Sequence, residues 1–450
     1  MHAEPTGVRK SSPEAVRRWL GATTRRALAD RLLLAILASA LLLRVAVVAF
    51  SRHFKPVADP ADYDRIAVSL AGGHGFGATA LAAPGTPSAL RPPLYPLMLG
   101  LTYRIAGHSW TAARTLEALL GVILVLLLFL LARRLYGRRV ALVVAALAAL
   151  MPTLVVLNAS LLSETLFLPL EIAAVLAAVA WRQAPSQRLA VAAGLACGAA
   201  IMTRSIGIAL LVAVIAVIVT ARVSRPTRWR AAAVVAGAAV VLVLPWAVRN
   251  AFELHAFVPV STQDGPTAAG VYNRVTFSDE KYYAIWHPPF FLREFQPLFY
   301  DGINEAELDA RLRSRALRYA KSHPGDVATA VGLNTLRLFV DAGRGHVAVA
   351  HLWYDEGGVA RWLQAPLGWV VRLLTLVVLL ALIAAASGRL RIGHWYIWVA
   401  PLLLYLSVIP FHGGNRYGAP ITPFAILVAG LAIASFSRQT VPAATLRRRR

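Results

Sequence analysis

Apolar runs recur from one end of this chain to the other, and no other feature constrains its fold as much. A helix that crosses a bilayer needs about 20 predominantly apolar residues. About ten stretches qualify: residues 32–50, 114–132, 140–157, 163–181, 189–203, 205–221, 231–247, 365–387, 394–411 and 420–437. Arg204 divides the pair at 189–221, which reads either as two short helices or as one long tilted one. A hydrophobic fraction of 58% over 450 residues is too high for an ordinary soluble domain. A mean hydropathy of +0.60 says the same. The expected fold is all-α and integral to a membrane, with about ten transmembrane helices and a small, mostly helical domain between the seventh and eighth.

A formal net charge of +24 in a soluble protein would suggest nucleic acid. Here the basic clusters fall between apolar runs, and no nucleic-acid partner is expected. They are Arg9 to Arg31, Arg133-Arg134 with Arg138-Arg139, Arg182 with Arg188, Arg222 to Arg230, Arg389 with Arg391, and Arg447 to Arg450. If the spans alternate, all lie on one side, which makes that side and both termini cytoplasmic. The expected location is a bacterial plasma membrane, crossed many times. The single cysteine, Cys197, lies inside a span and allows no intrachain disulfide. The first apolar run lacks the cleavage pattern of a signal peptide. Ser12-Pro13-Glu14 reads as a helix start. The segment after it reads as a helix on the membrane surface, or equally as a plain basic anchor.

The chain divides into a basic or amphipathic segment (1–31), a transmembrane bundle (32–248), an exported domain (249–364), further transmembrane helices (365–437) and a basic tail (438–450). The bundle includes a long exported first loop, 51–113. No internal repeat is visible, unlike transporters built from repeated halves. Residues 250–275 read as extended chain and turns. The aromatics between Phe277 and Tyr300 suit either the lipid–water interface or a small core. Residues 305–322 read as an amphipathic helix capped by Asn304, with Glu307 at the third position. A second helix is expected from about Asp326 to Val340.

The candidate chemistry lies in the loops. Asp59, Asp62, Tyr63 and Asp64 follow the first span at a depth where a lipid-linked head group would lie. An inverting sugar transfer needs one base to take the acceptor's proton. It needs no acid when a phosphate leaves, so one carboxylate is sufficient. Asp62 and Asp64 read more simply as helix-start residues. Gly72 to Gly77 is a helix stop, without the context of a nucleotide loop. Arg91, in a stiff Arg-Pro-Pro-Leu-Tyr-Pro stretch, suits either a phosphate or an ordinary interfacial position. Glu164 falls at a membrane boundary, where an acid is costly unless paired or facing water. It reads as a partner for an arginine or a sugar, or as a helix N-terminal acid behind a Ser163 cap. Arg44, Arg204, Arg249 and Arg416 lie within spans or at their outward ends. Forked guanidinium contacts to a lipid phosphate would explain them, and Arg44 reads equally as a snorkelling side chain. Tyr417 follows Arg416 in a helix-breaking loop. The histidines show no metal-ligand spacing, and His74, His108 and His412 read as loop residues. No metal or other cofactor is expected.

These motifs together resemble the polyprenyl-phosphate-sugar glycosyltransferases of the GT-C superfamily. That group includes protein O-mannosyltransferases and the aminoarabinose transferase of lipid A. The matching pieces are Asp59 with Tyr63, Ala67, Leu70, Gly73 and Gly75-Phe76; Arg91-Pro-Pro-Leu-Tyr-Pro96; Ala132-Arg-Arg-Leu-Tyr-Gly137; and Ser163-Glu164. Thr203-Arg204, Pro245-Trp246 with Arg249-Asn250, His323-Pro324, and Arg416-Tyr417 with Pro420 complete the set. The resemblance covers nearly the whole chain in order and is specific for the superfamily, not for a substrate. It implies a polyprenyl-phosphate-linked sugar, mannose or another, as donor. It implies Asp59 as general base, with Arg204, Arg249 and Arg416 on the donor phosphate. The acceptor implied is a hydroxyl on lipid, protein or polysaccharide, reached on the exported face. The chain lacks the extra soluble modules of eukaryotic protein mannosyltransferases, and its exported domain is shorter than that of the aminoarabinose transferase. A multi-span transporter or flippase of a lipid-linked or anionic substrate is the alternative reading.

Overall fold

The computed structural model describes residues 30–51, 54–77, 79, 86–280, 283–339, 392–413 and 416–439, with scattered positions between 373 and 390. Among the described residues there are helices and turns but no strand. The membrane-type helices are α1 (Arg31–Phe50), α4 (Trp110–Tyr136), α5 (Arg138–Leu150), α6 (Pro152–Leu157), α7 (Glu164–Gln183), α8 (Gln187–Thr203), α9 (Gly207–Val219) and α10 (Arg225–Glu253). Between α1 and α4 lie α2 (Asp59–Ala71) and α3 (Leu94–Ala106). A second group follows α10: α11 (Asp264–Val271), α12 (Gln296–Tyr300), α13 (Glu305–Ser322) and α14 (Pro324–Phe339). Helices α15 (Val399–Val408) and α16 (Thr422–Gln439) return to the bundle.

Among the described residues four helices, α1, α4, α7 and α10, are long and apolar enough to cross a membrane, while α8, α9, α15 and α16 are apolar but shorter. Large apolar side chains stay exposed on the outside, among them Leu42 and Phe50 of α1 and Val241 and Leu244 of α10. That surface suits lipid rather than water.

One expected span takes a different form, and one open choice is decided. Residues 140–157 are not one helix, because Met151 is extended at ψ 112° and Pro152 opens a new helix. A residue before proline is pushed out of the α region, so the break is local in origin. The stretch 189–221 forms two helices, since Arg204 is extended (φ −153°, ψ 133°) between α8 and α9. The expected span at 365–387, the terminal segments 1–29 and 440–450, and residues 340–364 lie wholly or largely outside the described residues.

Small residues let α8 lie close to α10. A Cβ added to Gly194 or Gly198 would collide with the backbone of Val235 or Ala239, and small side chains at such crossings are how apolar helices pack without a hydrophobic driving force.

The second group departs from the expected extended chain over 250–275. Helix α10 runs on to Glu253, and 264–271 is helical. Gly265 N–H donates to Asp309 Oδ1 (2.5 Å), tying α11 to α13. The α13 cap is as expected, with the Asn304 side chain accepting from Glu307 N–H (2.8 Å). The aromatic stretch is mixed. Phe295 is buried in a small core with Leu298, Leu308 and Leu312, whereas Phe291 and Tyr300 are exposed.

The bundle has two unlike ends. At one, Arg138 pairs with Asp30 (2.6 Å), Arg134 donates to the Ala180 carbonyl (3.4 Å) and Arg182 donates to Thr220 Oγ1 (3.0 Å), in the turn that leads into α10. At the other, the end of α1 meets the start of α4, and the α8–α9 break meets the start of α7.

Candidate active site in an arginine–carboxylate cleft

A cavity of about 450 Å³ opens at this second end. Its lining draws on α2, the Arg91-Pro92 turn, the α8–α9 break, α11, α13 and the α15–α16 connection. Asp59, Tyr63, Arg91, Arg204, Arg416 and Tyr417 all line it. These residues are far apart in sequence and were expected to act together.

The floor is an alternating chain of charge. Arg416 Nη1 lies 2.7 Å from Asp59 Oδ2 and its Nε lies 2.7 Å from Glu164 Oε1. Arg204 Nη1 is 2.9 Å from the same Glu164 oxygen. Arg91 Nη2 is 2.5 Å from Asp59 Oδ1 and 2.8 Å from Asp62 Oδ2, and Asp62 also pairs with Arg65. Glu164 is fully buried, with no lining role of its own. A buried ionised acid is stabilised by such partners, and removing one partner of a buried pair typically costs about 3–5 kcal/mol.

Burial by itself would raise the Asp59 pKa. The guanidiniums of Arg91 and Arg416 outweigh it and hold the carboxyl well below its usual range. Among the described residues, no three His, Cys, Asp or Glu side chains gather around one point; the floor carboxylates pair with Arg91, Arg204 and Arg416.

Several side chains take roles other than those expected. Asp62 does lie in the first turn of α2, but neither it nor Asp64 caps the helix, whose N-cap is Ala58 without a side-chain bond. Asp62 belongs to the charge chain, and Asp64 accepts from Tyr103 (2.7 Å) and Trp110 (2.9 Å) and contacts His108 (3.0 Å). Ser163 does not cap α7. Its Oγ accepts from Tyr63 Oη–H and from Arg204 Nη1–H, each at 3.0 Å. Arg44 does not snorkel. It is fully buried and donates to Asn158 Oδ1 (2.8 Å) and to the Ala40 and Ala149 carbonyls. Gly121 leaves the space for this pair, since a Cβ there would overlap Asn158 and Arg44. Arg249 is not among the cavity-lining residues. It donates to the Ser88 carbonyl (2.8 Å) and the Phe76 carbonyl (3.1 Å), holding the first loop in place.

A second layer supports the floor. Glu117, fully buried on α4, accepts from Tyr95 Oη–H (2.6 Å), Leu161 N–H (2.9 Å) and Leu162 N–H (3.2 Å). Tyr95 in turn packs edge-on against Tyr63, with centroids 4.9 Å apart. One carboxylate therefore ties α3 to the turn that presents Ser163 and Glu164, and the Tyr95–Tyr63 packing extends the link to α2. Arg114 reinforces this turn by donating to the Ala159 carbonyl (2.7 Å).

The wall facing the floor contains residues the sequence did not single out: Gln263, Asp264, Thr267 and Arg313. His412, expected as a plain loop residue, also lines the cavity and stacks on Tyr417 (4.0 Å, 4° between planes). An amphipathic helix such as α13 gives no sequence signal that its arginine faces a cleft.

Residues 90–248 match the family described as dolichyl-phosphate-mannose-protein mannosyltransferase. The fold is similar to that of the archaeal oligosaccharyltransferase AglB from Archaeoglobus fulgidus. Its apo form superposes with a TM-score of 0.53 at 15% identity, over 94% of this chain and 52% of that one. Its complex with an inhibitory peptide and a dolichol-phosphate gives 0.51 at 14% identity, over 90% and 50%. The chain thus spans about half the length of these oligosaccharyltransferases. ArnT from Cupriavidus metallidurans, in the apo state, gives 0.42 at 18% identity, over 91% and 78%. No curated protein matches the chain by sequence.

Proposed function

Because this chain has the GT-C glycosyltransferase fold, we propose that it is a membrane glycosyltransferase. It moves a sugar from a polyprenyl-phosphate donor to an acceptor hydroxyl, with inversion. One observation carries this reading: Asp59 lies in a cavity between two guanidiniums, Arg91 and Arg416, with Arg204 and Glu164 completing the floor.

The chemistry follows from the charges. The acceptor oxygen attacks the anomeric carbon while Asp59 takes its proton. The bond from that carbon to the phosphate oxygen breaks, and its electron pair leaves with the phosphate, which becomes more negative. Arginines at a low-dielectric edge stabilise that charge effectively. The two events favour each other. As a donor phosphate draws Arg91 and Arg416, Asp59 loses the partners that keep it a weak base. As Asp59 is protonated, both arginines are released to the departing phosphate. Arg204 completes the phosphate site, Glu164 orients Arg204 and Arg416, and Tyr63 and Tyr417 line the space for the sugar. Arg249 is better assigned to the loop it holds.

The positive-inside bias, with basic turns at the bundle end opposite the cleft, supports a cleft that opens on the exported face of a bacterial plasma membrane. There it meets a lipid-linked donor and a lipid, protein or polysaccharide acceptor.

The test is transfer from a radiolabelled polyprenyl-phosphate sugar in membranes carrying the wild type or Asp59→Asn. Loss of a positioned base should lower the rate by about 10²–10⁴-fold. Unchanged transfer would remove Asp59 from the mechanism. No transfer by the wild type, across several donors and acceptors, would favour a lipid transporter.

A further inference from the structure

Most polar groups that line the cleft are already committed. Asp59, Arg91, Arg204 and Arg416 belong to the charge chain, and the Tyr63 hydroxyl donates to Ser163. His412 is different. Its ring lines the same cavity and lies flat against Tyr417. Among the described residues, no hydrogen bond or ion pair engages its imidazole. Burial, and next the charge of Arg416, push its pKa down to about 3. The ring is therefore neutral in ordinary use, with one nitrogen donating and the other accepting. That combination matches a hydroxyl group, which also donates and accepts. A phosphate, which only accepts, would use one of the two nitrogens and an ammonium, which only donates, the other; a hydroxyl can satisfy either.

Position narrows the ligand. His412 stands four residues before Arg416 in the α15–α16 connection. In the reaction proposed above, Arg416 engages the donor phosphate. The sugar is joined to that phosphate through its anomeric oxygen, so groups flanking the arginine face the sugar. The acceptor must instead approach Asp59. The Tyr417 ring fixes the plane of the imidazole, and a hydrogen bond held in a fixed plane discriminates between hydroxyl positions.

Resting on that reading of the cleft, we propose that His412 is a specificity residue that hydrogen-bonds a ring hydroxyl of the transferred sugar.

The experiment uses full-length protein in membranes and a series of polyprenyl-phosphate sugars, each lacking one hydroxyl, beside the intact sugar. His412→Phe keeps a ring against Tyr417 and removes both nitrogens. For wild type, one deoxy donor should be transferred about tenfold less efficiently than the intact donor, as for loss of one neutral hydrogen bond. In His412→Phe that preference should collapse to about onefold. The variant should lose efficiency on the intact donor and keep it on that one deoxy donor. His412→Gln, which retains a donor and an acceptor, should recover part of the preference. If the Phe variant does not accumulate, His412→Ala carries the same comparison. An equal loss on every donor, or full discrimination retained, would overturn the assignment. Wild type that transfers no donor would instead sink the proposed reaction, so the two failures are distinguishable.

Discussion

Arg416 touches Asp59 with one nitrogen and Glu164 with another, so its replacement changes the proton chemistry of a residue it does not replace. A group whose pKa is depressed in the folded protein stays ionised until the pH falls below that depressed value. For Asp59, held down by Arg91 and Arg416, the acid limb of kcat/KM in the free enzyme should lie below the ordinary carboxylate range near pH 4. In Arg416→Gln one guanidinium is gone, and the limb should move up towards that range; Arg416→Lys keeps the charge and should move it less. Rate–pH profiles of the three proteins check this. Identical acid limbs would mean that Arg416 does not control Asp59. At this scale the sequence was informative about residue types and poor about partners. A carboxylate near a span end and a set of outward arginines were visible. That Arg91 and Arg416 meet on one carboxylate was not, because Arg91 lies 32 residues from Asp59 and Arg416 comes from near the other end of the chain.

Helix-scale features decide whether the floor keeps its register. The turn at Ser160–Ser163 has Leu161 at a φ of 52°, an uncommon conformation for a side chain of that size. The Glu117 carboxylate receives the amides of Leu161 and Leu162 and holds the turn in that shape. Glu117→Ala leaves three buried donors unmet and should lower stability by about 2 kcal/mol or more. It should also lower kcat by about tenfold or more, since small misplacements at a site are costly, while KM for the donor changes little. Thermal unfolding in detergent together with initial rates reads both effects. Lost stability with an unchanged kcat would reduce Glu117 to a structural residue. Legibility varied between elements for physical reasons. Helix α13 announced itself through its Asn304 cap and its apolar spacing. Helix α11 did not, because Gly265, Pro266 and Gly270 are breakers and its helical form depends on long-range contacts such as Gly265 to Asp309. The division at Arg204 was seen as a choice, and the extended Arg204 backbone decides it in favour of two helices.

For the molecule as a whole, the chain's only cysteine is the buried Cys197, which makes its orientation directly testable. In a Cys197→Ala background, Ser322→Cys at the end of α13 and Ser224→Cys before α10 are both exposed positions. An impermeant maleimide should label the first in intact cells and the second only after the membrane is opened. The reverse pattern would put the cleft on the cytoplasmic side and remove the exported-face reading. The overall class of fold was the most legible level of all, since repeated apolar runs leave few alternatives. The number of crossings was less so, because several apolar helices are shorter than the runs that encode them.

Those short helices have a further consequence. Helices α8 and α9 contain 17 and 13 residues, which gives lengths of about 25 and 20 Å. A hydrocarbon layer is about 30 Å thick. The hairpin they form falls short of that thickness, and Arg204 is at its tip. The surrounding lipid must thin or dip to meet it. The cleft is then expected to lie in a depression of the bilayer surface, where the phosphate of the proposed donor would meet the arginines with less displacement from its own leaflet.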